Sequence, residues 1–156
     1  MREWKNFEEE RAGARGKALA LLADMDRTES VLKEKLLRAG FSEEAALDAL
    51  TYVKNLGYLD DERYARHFVD VSKGKKSRRR MEYDLIRKGL TRQQIEDAME
   101  SAGPSDERPL IRELAEKKLK TMDEEDPKTR GKLAAFLARK GFRTEDVLSV
   151  LEEFFS

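Results

Sequence analysis

The densest run of chemistry-bearing side chains in this sequence is Lys73-Gly74-Lys75-Lys76-Ser77-Arg78-Arg79-Arg80. Lysine offers a flexible ammonium and arginine a flat fork of N–H donors. A basic loop that opens a helix therefore suits phosphate oxygens or the carboxylates of an acidic protein surface. The plainer reading is a solvated basic turn with no partner. Three consecutive arginines weaken it, because on a helix they fan around most of the circumference, and crowding like charges costs stability unless something uses them. From Lys73 to Arg92 there are nine basic and two acidic residues, a local net charge of +7. From Gln93 to Asp126 there are five basic and eleven acidic residues, a local net of −6. The candidate binding residues are Lys73, Lys75, Lys76, Arg78, Arg79, Arg80, Arg87 and Lys88, joined by Arg139 and Lys140.

A second basic feature is Arg38, Arg87 and Arg139, each two residues ahead of a glycine. Cations at a helix C-terminus stabilise it by ~0.3 to 1 kcal/mol through the dipole, and this explanation is preferred to a surface shared between repeats. Asp60, Asp61 and Glu62 could be read as catalytic or metal-binding carboxylates, but capping and the positive end of a helix dipole account for all three. His67 follows on the same helix and reads as a surface or half-buried side chain. No phosphate-binding glycine loop, nucleophile elbow or paired-carboxylate site occurs. No catalytic residue, metal site or cofactor is expected.

Composition limits what else the chain can be. Its 156 residues suffice for one ordinary domain or several small repeats. Charged residues make up 41%, well above the usual share, with 32 basic balancing 32 acidic. Long-range attraction to nucleic acid or an anionic membrane must therefore come from local clustering. There is no cysteine, which excludes disulfides, thiolate metal sites and cysteine nucleophiles. No apolar run approaches the ~20 residues that span a bilayer. An intracellular, cytoplasmic monomer is expected.

The elements that must position these side chains are helices. From Lys17 onward the apolar spacing is helical and nothing reads as a strand. At Gly57 one helix closes and at Asp60 the next is capped, with Tyr58 expected to fold back on the preceding turn and Leu59 and Tyr64 placed as a hydrophobic staple. Gly40, Gly89 and Gly141 lie 49 and 52 residues apart in a common pattern. Leu32, Met81 and Leu133 precede them by eight positions, and Leu36, Leu85 and Leu137 by four. Phe41, Leu90 and Phe142 follow at one, Ala46, Ile95 and Val147 at six, and Leu50, Met99 and Leu151 at ten. This is a threefold internal repeat.

Each repeat reads as three helices. The leading helices are expected near 17–25, 60–72 and 105–119, with Asp61-Glu62-Arg63 recurring as Asp106-Glu107-Arg108. The middle helices start at Thr28, at Ser77 and at Asp126-Pro127. The last helices are capped by Ser42, by a Thr91/Gln94 capping box, and at Arg143, where the start could slip to Thr144. The expected fold class is all-α: three tandem three-helix repeats stacked into an elongated array, straight or curved. The division is an N-terminal arm, 1–16, then repeats at 17–57, 58–103 and 104–156. The arm reads as a frayed tail or short helix in which Trp4 packs on the body or on a partner.

Gly57-Tyr58-Leu59-Asp60-Asp61-Glu62-Arg63-Tyr64-Ala65-Arg66, with Tyr83-Asp84-Leu85-Ile86-Arg87-Lys88-Gly89-Leu90 some twenty residues on, resembles the core signature of the RecX family, regulators of the RecA recombinase. The stretch from Lys128 to Phe142 resembles that family's third repeat, and Leu36-Leu37-Arg38-Ala39-Gly40-Phe41 its first. The resemblance runs from about Ala18 to the end. It implies a non-enzymatic protein that binds along the groove of RecA filaments on single-stranded DNA and restrains ATP hydrolysis, strand exchange and repressor cleavage. Where the family usually has a basic stretch ahead of its second helix, this sequence has Asp24-Met25-Asp26-Arg27-Thr28. The alternative is a helical protein that binds DNA directly without RecA, against which the neutral total charge argues. A weak direct contact with DNA stays open beside the filament reading.

Overall fold

The computed structural model describes residues 4–155. Among them are nine helices and no strand: α1 (Phe7–Asp24), α2 (Glu29–Arg38), α3 (Glu43–Asn55), α4 (Asp61–Ser72), α5 (Arg78–Arg87), α6 (Arg92–Ala102), α7 (Arg108–Leu119), α8 (Thr129–Arg139) and α9 (Thr144–Phe155). Every apolar position of the threefold pattern is buried, from Leu32, Met81 and Leu133 through to Leu50, Met99 and Leu151. The glycines that follow the middle helices take left-handed backbone, with φ of 98°, 84° and 96° at Gly40, Gly89 and Gly141.

Two compact units are present, Met1–Phe68 with Leu85–Ser101, and Val69–Asp84 with Ala102–Ser156. Each contains one joint between successive repeats, and the two joints are built alike. In the first unit Thr28, the N-cap of α2, accepts from Val31 N and donates its hydroxyl to the Lys88 carbonyl at 2.5 Å. Beside it the Asp61 carboxylate accepts from the first amide of α2, Glu29 N, at 2.8 Å. In the second unit Ser77 caps α5 and donates to the Lys140 carbonyl at 2.9 Å, while Glu107 accepts from Arg78 N at 3.1 Å. Orphan amides of one repeat are thus satisfied by a carboxylate of the next.

These joints correct the expected equivalence of Asp61-Glu62-Arg63 with Asp106-Glu107-Arg108. Asp61 matches Glu107, because each caps the preceding repeat. Asp106 matches Asp60, because each serves its own helix start, accepting from Arg108 N and from Arg63 N.

Other expectations at the helix ends also need correction. Helix α1 begins at Phe7, ten residues ahead of Lys17, because Asn6 caps it by accepting from Glu9 N at 2.8 Å. The tail reading of that stretch therefore holds for none of residues 7–16. Helix α8 begins at Thr129 without a side-chain cap, since Asp126 turns to Lys128 N and the Thr129 hydroxyl to the Asp123 carbonyl. Helix α9 begins at Thr144, as the sequence allowed, with Val147 N bonded to the Arg143 carbonyl. Tyr58 is 56% exposed, and it is Leu59 that enters the core. The Ser42 cap and the Thr91/Gln94 box form as expected.

Trp4 stacks on Phe41, with ring centroids 5.3 Å apart, and lies so close to Gly13 that an added Cβ there would sit 2.6 Å from the ring. Glu10, one turn into α1, accepts from both the amide and the hydroxyl of Ser42. A Cβ on Gly40 would meet nothing within 4 Å, unlike one on Gly89 or Gly141, and the aromatic next to that turn, Phe41, is covered by Trp4. Replacing a stacked but partly exposed tryptophan by alanine should cost about 2 kcal/mol. In a chain of this size Trp4→Ala should therefore melt about 4 to 8 °C lower. An unchanged melting curve would mean that this packing adds nothing in solution.

Candidate partner-binding surface

The second unit gathers most of the predicted cations. Helix α5 starts inside the basic run, at Arg78, and its first turn is held from both sides: Ser77 is only 1% exposed and accepts from Arg80 N at 3.0 Å while donating to the Lys140 carbonyl. Glu107, 8% exposed, completes that start. Burial pushes its carboxyl above the ordinary glutamate value, and the bond from Arg78 N and the charges of Arg78 and Arg143 oppose the shift. The basic run thus opens a fixed helix end.

Around that end lies a cavity of about 510 Å³ whose cations are Lys75, Lys76, Arg80, Arg139 and Lys140. Its apolar lining is Leu114, Phe136 and Phe142. A second hollow of about 320 Å³ shares Arg80, Arg139 and Lys140 and adds Arg79 and Tyr83. A third, about 500 Å³, continues from Phe136 and Arg139 to Lys118 and Lys132, with Asp123 and Asp126 at its edge. The three form a groove with cations above apolar and aromatic surface. Lys118 and Lys140 place their ammonium groups 5.0 and 5.4 Å from the Phe136 ring, and the Arg80 guanidinium lies 5.4 Å from Tyr83. At these distances the ring quadrupole attracts the cation.

Two of these cations, Lys76 and Arg80, share a carboxylate partner. Asp84 accepts from Lys76 Nζ at 2.8 Å through Oδ2 and forms an ion pair with Arg80, Nε to Oδ1 at 3.1 Å.

Not all predicted residues join this groove. Lys73 reaches the Ala102 carbonyl with its ammonium. Arg78 is half-buried at the helix start. Arg87 and Lys88 belong to the first unit, where the Lys88 carbonyl takes the Thr28 hydroxyl. Arg38 pairs with Glu34 at 2.5 Å. Sequence reasoning missed Lys118, Lys132, Phe136, Tyr83 and Asp84. Lys132 and Phe136 fall in the third-repeat signature and Tyr83 and Asp84 in the core signature, but none of the four was assigned to a binding surface.

Among the described residues no cluster of three or more acidic, histidine or cysteine side chains is placed to hold a metal ion. No helix of the described residues is long and apolar enough to cross a membrane.

Three family models match the chain: RecX, first three-helix domain, at residues 14–52, the second at 60–99 and the third at 106–151. A regulatory protein RecX from Caldanaerobacter subterraneus subsp. tengcongensis is 36% identical over 140 residues, covering 88% of this chain and 68% of the relative. One from Chlorobium phaeobacteroides is 30% identical over 140 residues, covering 88% and 91%. The chain spans about two thirds of the Caldanaerobacter relative and 66% of one from Clostridium tetani, which is 27% identical. Two crystal structures share the fold. One of regulatory protein RecX superposes with a TM-score of 0.79 over 93% of this chain and 73% of its own, at 24% identity. RecX from Lactobacillus salivarius gives 0.77 over 94% and 97%, at 20% identity. With all three of its three-helix domains matched in order, and relatives of this similarity along most of its length, the chain belongs to the RecX family.

Proposed function

We propose that this protein binds RecA filaments on single-stranded DNA and inhibits RecA, restraining its ATP hydrolysis, strand exchange and repressor cleavage. The observation that carries the reading is the groove of the second unit, where Arg79, Arg80, Arg139 and Lys140 converge above Phe136 and Tyr83. A RecA filament on DNA offers phosphates and carboxylates to such a surface, and the membership in the RecX family points to that partner. Of the remaining predicted cations, Lys75 and Lys76 line the same groove, while Lys73, Arg78, Arg87 and Lys88 contribute field more than contact. The test is the steady-state ATPase of RecA on single-stranded DNA, titrated with this protein. Inhibition that saturates below RecA concentration supports the reading, because a filament-bound regulator need not meet every subunit. Unchanged hydrolysis with the protein in excess would sink it.

A further inference from the structure

Asp84 is not required by anything so far proposed for the groove. It sits in the middle of the most basic stretch of the chain, and its side chain is 15% exposed while those of its partners Lys76 and Arg80 are 40% and 58% exposed. The carboxylate therefore lies inward of the two cations it holds. Both of its oxygens are engaged, one by each cation. Arg80 meets Asp84 through Nε, and a guanidinium carries further N–H donors, so the ion pair and an incoming ligand can share it. Asp84 is thus placed as an internal anion for the groove.

We infer that Asp84 is a specificity-determining residue of the groove: it positions Lys76 and Arg80 for a partner with fixed acceptors and withholds their charge from flexible polyanions. This rests on reading the groove as the partner-binding surface. The two effects of the carboxylate act differently on the two kinds of ligand. A flexible single strand can bring phosphates to the cations wherever they point, so for it the loss of a competing negative charge outweighs the loss of order. A folded protein surface holds its carboxylates in place, and for it the orientation of Lys76 and Arg80 matters more.

The experiment compares wild type with Asp84→Asn, a change of charge at nearly constant shape, using a fluorescent twenty-nucleotide oligothymidylate as probe over a range of salt. The variant should bind the oligonucleotide about threefold or more tightly at low salt. Its log affinity should fall more steeply with log salt, by roughly 0.7 for each phosphate newly engaged. Asp84→Glu, which keeps the charge, should restore the wild-type slope. A merely structural role would not move that slope. Equal or weaker binding by Asp84→Asn with an unchanged slope overturns the inference, and Asp84→Ser carries the same readout if the asparagine variant does not melt as wild type does. RecA is absent from this assay, so its outcome is independent of whether the filament reading holds.

Discussion

Alanine at Gly89 should destabilise this protein by about 3 kcal/mol, whereas alanine at Gly40 should cost only about 1 to 2. Both glycines have left-handed backbone, and that conformation alone costs an L-residue roughly 1 to 2 kcal/mol. They differ in their surroundings. A Cβ on Gly40 meets nothing within 4 Å, whereas one on Gly89 would overlap Cβ and Oγ of Ser30 on α2. Overpacking of this kind adds about 1 to 3 kcal/mol, and Ser30 Cβ cannot retreat without moving the helix. Gly141 should resemble Gly89, since a Cβ there would lie 2.8 Å from Ser77 Oγ and 3.3 Å from Arg79 Cβ. Chemical denaturation of the three variants measures the difference, and Ser30→Gly in the Gly89→Ala background should recover part of the loss. Equal losses at Gly40 and Gly89 would show that the glycines serve only to end helices.

Reversing the groove's charge should abolish regulation while leaving the fold intact. Replacing Arg79, Arg80, Arg139 and Lys140 by glutamate turns four cations into four anions at positions with exposed side chains. Surface changes away from a packing defect usually stay within about 0.5 kcal/mol each. Ser77 uses the carbonyl of Lys140, which any residue supplies, so the joint survives. Facing an acidic partner, four like-charge contacts should weaken binding far more than tenfold. Half-maximal inhibition of RecA ATPase should move out of the measurable range, with melting little altered. The wild-type effect should itself fade as salt rises, because exposed charges are screened over ~8 to 10 Å. A folded variant that still inhibits fully would remove the groove from the reading and direct attention to Arg87 and Lys88.

The helical faces and the repeat were legible because periodic burial leaves its mark at fixed spacing, as at Leu36, Leu85 and Leu137. Local caps such as Ser42 and the Thr91/Gln94 box were legible for the same reason, since donor and acceptor lie within one turn. The caps at the joints were not. Glu29 N and Asp61 are 32 positions apart, Arg78 N and Glu107 are 29 apart, and no local pattern links them. The beginning of α1 was hidden too: the arm read as a frayed tail or short helix, and two glycines, Gly13 and Gly16, lie inside what is one helix from Phe7 to Asp24. Gly13 is there to admit the indole of Trp4. For the groove, the run from Lys73 to Arg80 announced itself, but its meeting with Arg139 and Lys140 required the fold. Lys118 was hidden in a segment whose net charge is −6, and Lys132 figured only in the third-repeat signature.

The two joints also set rules for recombining this chain with its relatives. Each seam consists of a hydroxyl residue with its helix start on one side, and on the other a carboxylate followed, some thirty residues later, by a carbonyl and a glycine. A graft that crosses over between Asp61 and Gly89 would join half of one seam to half of another, and would bring together parts that never adapted to each other. The two seams overlap along the chain, from Thr28 to Gly89 and from Ser77 to Gly141, so a donor segment that carries one of them alone divides the other, and an exchange from Thr28 through Gly141 keeps every matched pair from one parent. Hybrids that exchange one seam alone should therefore melt below the full exchange, and the difference measures how far each joint is adapted to its own parent.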